Sequence, residues 1–380
     1  MRTINLLNPA KLSFGDDSLK VFIEDYLKTG NRRLYMLITE HVENLLERSI
    51  KNLREEGIEI YVDKSIEQEP SFSEFETILE NARSYEADSI VGIGGGSVLD
   101  VAKLVAAQLK NTQSLEEVKG IGNLKERQTY LSCLPTTAGT GSEVSPNAIF
   151  IDDEGNKVGV ISPFLVPDAA YICPRLTHSV PPSVTAATGI DALTHCLEAY
   201  ANNFAHPMVN VFALEGIRLI AQYLPIAYRN GDDEEARANV ALGSLYGGMC
   251  LGPVNTAAVH ALSYPLGTEF HIAHGLSNAV LLPYVMEYNL PEAIGPYSEI
   301  ALAIGAEKGN SPEEIAKRGI EIIRKLNSDC GIPSKLSDLE IPESSIDLLA
   351  ENALKVQRLL KNNLREVTLH DAKYIYQSAF

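Results

Sequence analysis

Residues 89–103 read SIVGIGGGSVLDVAK, and this stretch decides the fold. Ile90, Val91 and Ile93 make an apolar run of strand length over 89–94, which the glycines Gly94, Gly95 and Gly96 interrupt. From Ser97 to Leu109 the apolar residues return at helical spacing. A strand turning through glycine into a helix is the unit from which parallel α/β sheets are built. The free N–H groups and dipole at such a helix start favour a phosphate. Glycines without side chains let a pyrophosphate approach the backbone closely. The run departs from the usual dinucleotide fingerprint, which after Gly92-x-Gly94-x-x calls for Gly or Ala where Ser97 stands. Taken alone, it reads equally well as a tight strand-to-helix turn.

The same alternation extends on both sides. Upstream, 34–39 (LYMLIT) reads as a buried strand, Glu40 to Glu55 as an amphipathic helix, 58–62 (IEIYV) as a strand and Phe72 to Tyr85 as a helix. Downstream, a polar connection leads to a strand near Tyr130 to Leu134. Residues 147–161 (NAIFIDDEGNKVGVI) differ, with two β runs flanking the hairpin turn Asp-Glu-Gly-Asn. The prediction is a parallel sheet covered on both faces.

Past Cys173, the stretch CPRLTHSVPPSVTAATG carries Pro174, Pro181 and Pro182 and reads as an interdomain connection. Nearly everything after it has helical period: 184–202, 206–223, 234–251, 255–265, 275–289, 292–304, 311–330, 343–355 and 369–378. A chain of 380 residues exceeds the roughly 250–300 at which one core stops growing. The expectation is an α/β domain over 1–182 and an all-helical domain over 183–380.

A second small-residue loop, LPTTAGTGSEVS at 134–145, again follows a strand. Its hydroxyls at Thr136, Thr137, Thr140 and Ser142 suit phosphate or ribose oxygens, or else simply cap a helix. Two such loops at the carboxyl ends of parallel strands support each other, since open α/β sheets bind ligands at that edge.

Further on, TGIDALTHCLEAY places Asp191 and His195 four apart, on one helix face among small and apolar neighbours. His260, His271 and His274 follow in AVHALSYPLG and FHIAHGLSN. One carboxylate with imidazoles suits Fe²⁺ or Zn²⁺. By itself, the Asp/His pair reads more simply as a hydrogen-bonded helix pair. His41, His178, His206 and His370 read as non-functional.

These motifs resemble the iron-containing (group III) alcohol dehydrogenases, from SFGDDSL near the N-terminus to NNLREVTLHDA near the C-terminus. The most specific pieces are GGGSVLDVAK, LPTTAGTGSEVS, TAATGIDALTHCLEAY and AVHALSYPLGTEFHIAHGLSNAVLLP. The resemblance implies a Rossmann-like parallel-sheet dinucleotide domain followed by an all-helical metal-binding domain, and a homodimer. It implies metal ligands at Asp191, His195, His260 and His274. Its cofactor contacts fall on Gly95, Gly96, Ser97, Asp100, Thr136, Thr137, Thr140 and Ser142, with Lys157 near the nicotinamide end; Lys157 reads equally as a solvated hairpin lysine.

Three positions depart from the family pattern. Tyr264 replaces a histidine found four residues after the third ligand in many members. Glu69-Pro70-Ser71 stands where many have Asn before Pro-Thr, and Glu40 stands where NAD-preferring members carry Asp. An acidic group there bonds a ribose 2′-hydroxyl and repels a 2′-phosphate, which favours NAD over NADP. The implied reaction is reversible hydride transfer between a small alcohol and its aldehyde or ketone, with the metal as Lewis acid. His271 is expected to take over the proton relay, with Tyr264 as a hydrogen-bond donor to substrate; His271 reads equally well as a packing residue. Short aliphatic alcohols, diols and lactaldehyde-like compounds all fit. The alternatives are a related reductase such as a maleylacetate reductase, a non-catalytic nucleotide- or metal-binding protein, and a metallohydrolase.

The bulk properties agree. A formal charge of −18 repels nucleic acid. Five cysteines without a CxxC pair fit reduced thiols. No stretch approaches the roughly 20 apolar residues of a membrane helix, and the N-terminus lacks a signal-peptide pattern. A soluble, cytoplasmic protein is expected.

Overall fold

The computed structural model describes residues 2–66, 71–152 and 157–380. Two compact units emerge: one holds Leu6–Thr137 and Gly141–Val180, the other holds Pro181–Phe380, Ala138–Thr140 and a short N-terminal segment ending at Asn5.

In the first unit the chain runs β1 (Lys11–Phe14), α1 (Ser18–Lys28), β2 (Arg33–Ile38), α2 (Glu43–Glu55), β3 (Glu59–Asp63), α3 (Phe72–Ser84), β4 (Ser89–Gly94), α4 (Gly96–Gln108), α5 (Leu115–Val118), β5 (Gly120–Ile121), β6 (Tyr130–Pro135), β7 (Asn147–Ile151), β8 (Lys157–Ile161) and β9 (Ala169–Ile172). Six strands form one parallel sheet in the order β1-β9-β6-β4-β2-β3. Strand alternation feeds both faces: Tyr35, Leu37, Ile90 and Leu131 pack with α3 and α4, while Leu34, Met36, Val91 and Ile93 pack with residues of α1 and α2. From β2 the chain moves outward to β3, then returns past β2 to β4. That reversal between β2 and β4 is the topological switch point, where doubly wound sheets bind ligands.

β7 and β8 pair antiparallel, Asn147 opposite Ile161 and Ile151 opposite Lys157. The expected turn at 153–156 lies outside the described residues, as do Glu69 and Pro70. Ser71 caps α3 in a reciprocal pair with Glu74. β1, β5 and β9 are too short to stand out in the sequence, and β1 and β9 take their place by pairing with strands remote in the chain. The Glu40 region is also corrected: a 3₁₀ turn over Glu40–Val42 precedes α2.

The second unit contains α6 (Pro182–Tyr200), α7 (Pro207–Arg229), α8 (Glu234–Leu251), α9 (Ala258–Phe270), α10 (His274–Ala303), α11 (Pro312–Asp329), α12 (Ile346–Ala353), α13 (Gln357–Leu360) and α14 (Leu369–Ser378). α6 starts at Pro182, so half of the stretch read as a connection is helix; proline suits a first helical position because no N–H partner is needed there. Where the sequence suggests two helices, 275–289 and 292–304, α10 runs unbroken through Pro283, Pro291 and Pro296. Pro283 leaves the Ala279 carbonyl without its helical partner, and the buried Asn327 amide donates to it at 2.6 Å. α7 and α9 likewise run through Pro225 and Pro265. Among the described residues, no helix is long and apolar enough to cross a membrane.

Candidate metal centre and nucleotide-binding loops

α6 is buried on almost every side, because small residues let its neighbours close in. A Cβ on Gly216 of α7 would lie 2.6 Å from Cys196 Sγ. A Cβ on Gly275, in the first turn of α10, would lie 2.3 Å from the Ala187 carbonyl oxygen, so only glycine permits that approach. This contact brings His274 at the start of α10 to the polar face of α6.

On that face Asp191 and His195 sit one turn apart, joined by His260 from the first turn of α9. Asp191 Oδ1 lies 3.8 Å from His195 Nε2, 3.5 Å from His260 Nε2 and 3.6 Å from His274 Nε2. The ligand atoms of Asp191, His195 and His260 all fall within 4.8 Å of one another. Such separations exceed those of good N–H···O bonds, so the four groups do not satisfy each other directly. A cation at the usual bond length of about 2.1 Å to tetrahedral ligands holds them about 3.4 Å apart, so the donor set fits a divalent ion in both chemistry and spacing. Asp191, His195 and His260 are buried, and His274 is a quarter exposed.

The electrostatics favour the ligating form at Asp191 and His195, and a charged ring at His260. Burial pushes the Asp191 carboxyl up, but the imidazoles around it outweigh that and hold it well below the ordinary carboxylate range. Burial lowers His195 and keeps its ring neutral. Burial also works against a charged His260, yet the Glu198 and Asp191 carboxylates raise it above the usual imidazole range.

Two neighbours were not singled out in the sequence. Glu198 Oε2 lies 2.6 Å from His260 Nδ1, and Asn278 Nδ2 donates to Asp191 Oδ1 at 2.6 Å. Helical spacing was the available signal: Glu198 follows His195 by three residues, and Asn278 follows His274 by four.

Tyr264 packs its ring against that of His274 at 5.7 Å, and its hydroxyl accepts from Arg358 at 3.2 Å. His271 is exposed, at the left-handed residue that closes α9, and its ring is not among those meeting at Asp191.

In the sheet unit the two small-residue loops leave adjacent strands, with Gly94 paired to Pro135 and Thr136 N–H donating to the Gly94 carbonyl. Gly92 and Gly94 serve packing, since a Cβ there would strike Ala102 and Val98 at 2.7 and 2.6 Å. Gly95 is different: its Cβ position meets only Thr137 at 3.6 Å, an ordinary contact, and it caps α4 just before Gly96 and Ser97. Glu40 follows Thr39, the residue after β2, whose N–H bonds the Ile93 carbonyl near the end of β4, so it stands beside the glycine loop at the switch point. The Asp100 side chain accepts from Ser142 Oγ at 2.5 Å and from Ile149 N–H at 2.9 Å, and pairs with the fully buried Lys103 at 3.1 Å. Lys103 in turn bonds the Ser142 and Asn147 carbonyls. Thr140 belongs, with Ala138 and Gly139, to the helical unit. Lys157 opens β8, half-buried.

Comparison with known proteins agrees with this fold. Residues 9–174 match the family model described as iron-containing alcohol dehydrogenase, and 185–380 match the Fe-containing alcohol dehydrogenase family, C-terminal. Long-chain-alcohol dehydrogenase 1 of Geobacillus thermodenitrificans is 39% identical over 387 positions, covering 100% of this chain and 98% of the relative. A crystal structure of 1,3-propanediol oxidoreductase superposes with a TM-score of 0.96 at 32% identity, over 100% of both chains. Sulfoacetaldehyde reductase from Bifidobacterium kashiwanohense, solved in complex with NAD⁺, gives a TM-score of 0.88 at 26% identity, over 100% of this chain and 99% of that one. The chain belongs to the iron-containing alcohol dehydrogenase family, oxidoreductases acting on CH–OH groups.

Proposed function

We propose that this enzyme interconverts a small alcohol or diol and its aldehyde with NAD, at a divalent cation held by Asp191, His195, His260 and His274. The observation that carries the reading is the convergence of three imidazole Nε2 atoms on one oxygen of Asp191. When bound, the cation supplies Lewis acidity toward the substrate oxygen, and the nicotinamide carries the hydride.

The chain's own residues do the rest. Backbone N–H groups of Gly96 and Ser97, at the start of α4, receive the pyrophosphate, and Gly95 leaves room for its approach. Glu40 bonds the ribose hydroxyls, which is the basis for NAD over NADP. Thr136, Thr137 and Thr140 offer further donors, while Asp100 and Ser142 act by shaping the loop, since each is bonded to the other. Lys157 is assigned to the nicotinamide end. Tyr264, packed on His274, hydrogen-bonds the substrate, and the exposed His271 passes the alcohol's proton to water. The NAD⁺ complex of the sulfoacetaldehyde reductase supports the cofactor, and the propanediol oxidoreductase supports the substrate class. Five buried free cysteines support a reducing cytoplasm, and homodimerisation is part of the same reading.

The test strips the protein with a chelator and follows NADH oxidation with short aldehydes before and after anaerobic Fe²⁺ or Zn²⁺. Activity lost and then restored by one ion supports the reading and names the metal. Full activity after stripping removes the four residues from their assigned role.

A further inference from the structure

Asp191, His195 and Glu198 share one face of α6, at successive helical turns. Glu198 is buried, and both of its oxygens are used: Oε2 meets His260 Nδ1 at 2.6 Å, and Oε1 accepts the Val259 N–H at 2.6 Å. Val259 lies in the first turn of α9, whose N–H groups have no helical partners, and where the helix dipole favours a carboxylate. One side chain therefore anchors the start of α9 and the ring that this start carries.

We propose that Glu198 is the positioning residue that makes His260 a metal ligand: it keeps the proton on Nδ1, turns Nε2 toward Asp191, and locks the first turn of α9 to α6. The inference rests on the metal-centre reading above and deepens it. A carboxylate behind an imidazole raises the basicity of the ligating nitrogen. It also brings the buried carboxylates near the ion to two, which balances a divalent charge in a dry setting. A neutral glutamine cannot substitute. It offers one acceptor oxygen for two N–H donors, and its own amide hydrogens face whichever donor is left.

The experiment uses the full-length chain as wild type, Glu198→Gln, Glu198→Leu and Asp191→Asn. Zn²⁺ affinity is measured by competition with a chromophoric chelator, the visible spectrum is recorded with Co²⁺, and thermal unfolding is recorded in excess chelator. The expected result is a Zn²⁺ Kd raised roughly 10- to 100-fold in Glu198→Gln, with an altered Co²⁺ spectrum, and a larger loss in Glu198→Leu. If Glu198→Leu fails to fold, the isosteric Glu198→Gln decides. Glu198→Gln with wild-type Kd and spectrum, while Asp191→Asn loses the ion, overturns the role of Glu198 alone; so does a fall in melting temperature without change in Kd. Wild-type Zn²⁺ binding by Asp191→Asn overturns the metal-centre reading itself.

Discussion

The Asn278 amide nitrogen lies 2.6 Å from Asp191 Oδ1, joining the first turns of α10 to the middle of α6 through the one carboxylate on which the three histidines converge. The same nitrogen is 3.2 Å from His260 Nε2 and 3.3 Å from His274 Nε2. Asn278→Ala removes the donor that orients the carboxylate. A roughly tenfold weaker Zn²⁺ affinity is expected, read by the same chelator competition. Unchanged affinity would assign Asn278 to packing only.

Gly275→Ala tests whether close approach of α10 to α6 places His274. The added Cβ would sit 2.3 Å from the Ala187 carbonyl oxygen, so the helix start must move. A loss of about 1–3 kcal/mol is expected from urea unfolding, together with weaker metal binding. Gly295, also in α10, has nothing within 4 Å of its Cβ position. Gly295→Ala should instead stabilise by about 0.5–1 kcal/mol. Equal effects at the two sites would show that helix propensity, not approach, governs α10.

Glu143 is buried within the second small-residue loop, and burial pushes its carboxyl from 4.5 up to about 7. Below pH 4 both folded and unfolded chains carry the proton, and the group costs nothing. Between the two values the unfolded chain ionises first, so the folded state binds more protons and stability falls as pH rises. Above pH 7 the cost levels off at roughly 3 kcal/mol. Glu143→Gln should therefore raise the melting temperature at pH 8 much more than at pH 5, with calorimetry as the check. A gain independent of pH would place the effect elsewhere.

Glu40 stands at the carboxyl end of β2, exposed beside the glycine loop that follows β4. Glu40→Ser removes the repulsion toward a 2′-phosphate and the bond to a 2′-hydroxyl. The ratio of kcat/KM for NADPH over NADH should rise at least tenfold, equivalent to about 1.4 kcal/mol. An unchanged ratio would free Glu40 from cofactor choice and leave it as a helix-start residue.

The elements legible in the sequence are those whose residues carry the signal locally. β4 and α4 announce themselves through an apolar run, glycines and a helical period. α8 and α14 match their expected limits for the same reason. β1 and β9, four residues each, exist because partners distant in the chain pair with them. The break expected near Pro291 is absent from α10, which also runs through Pro283, where Asn327 satisfies the carbonyl that the proline frees. Asn327 is 44 residues beyond Pro283 in sequence, too far for local reading to find.

The site divides in the same way. Read from the sequence, His260 falls in the middle of a helix over 255–265, and only the structure places it in the first turn of α9; by itself the sequence determined the types of the chemically active residues and the one-turn spacing of Asp191 and His195 on α6. Those follow from helical geometry alone. Only the tertiary structure decided that three imidazoles converge on one oxygen, that Glu198 stands behind His260 while the Asn278 amide nitrogen sits among Asp191, His260 and His274, and that Tyr264 rather than His271 packs against His274. It also decided that Asp100 bonds Ser142 and Lys103. The reason is physical: these are contacts between helices and loops remote in sequence, set by the close approach of small residues, and no local periodicity encodes them.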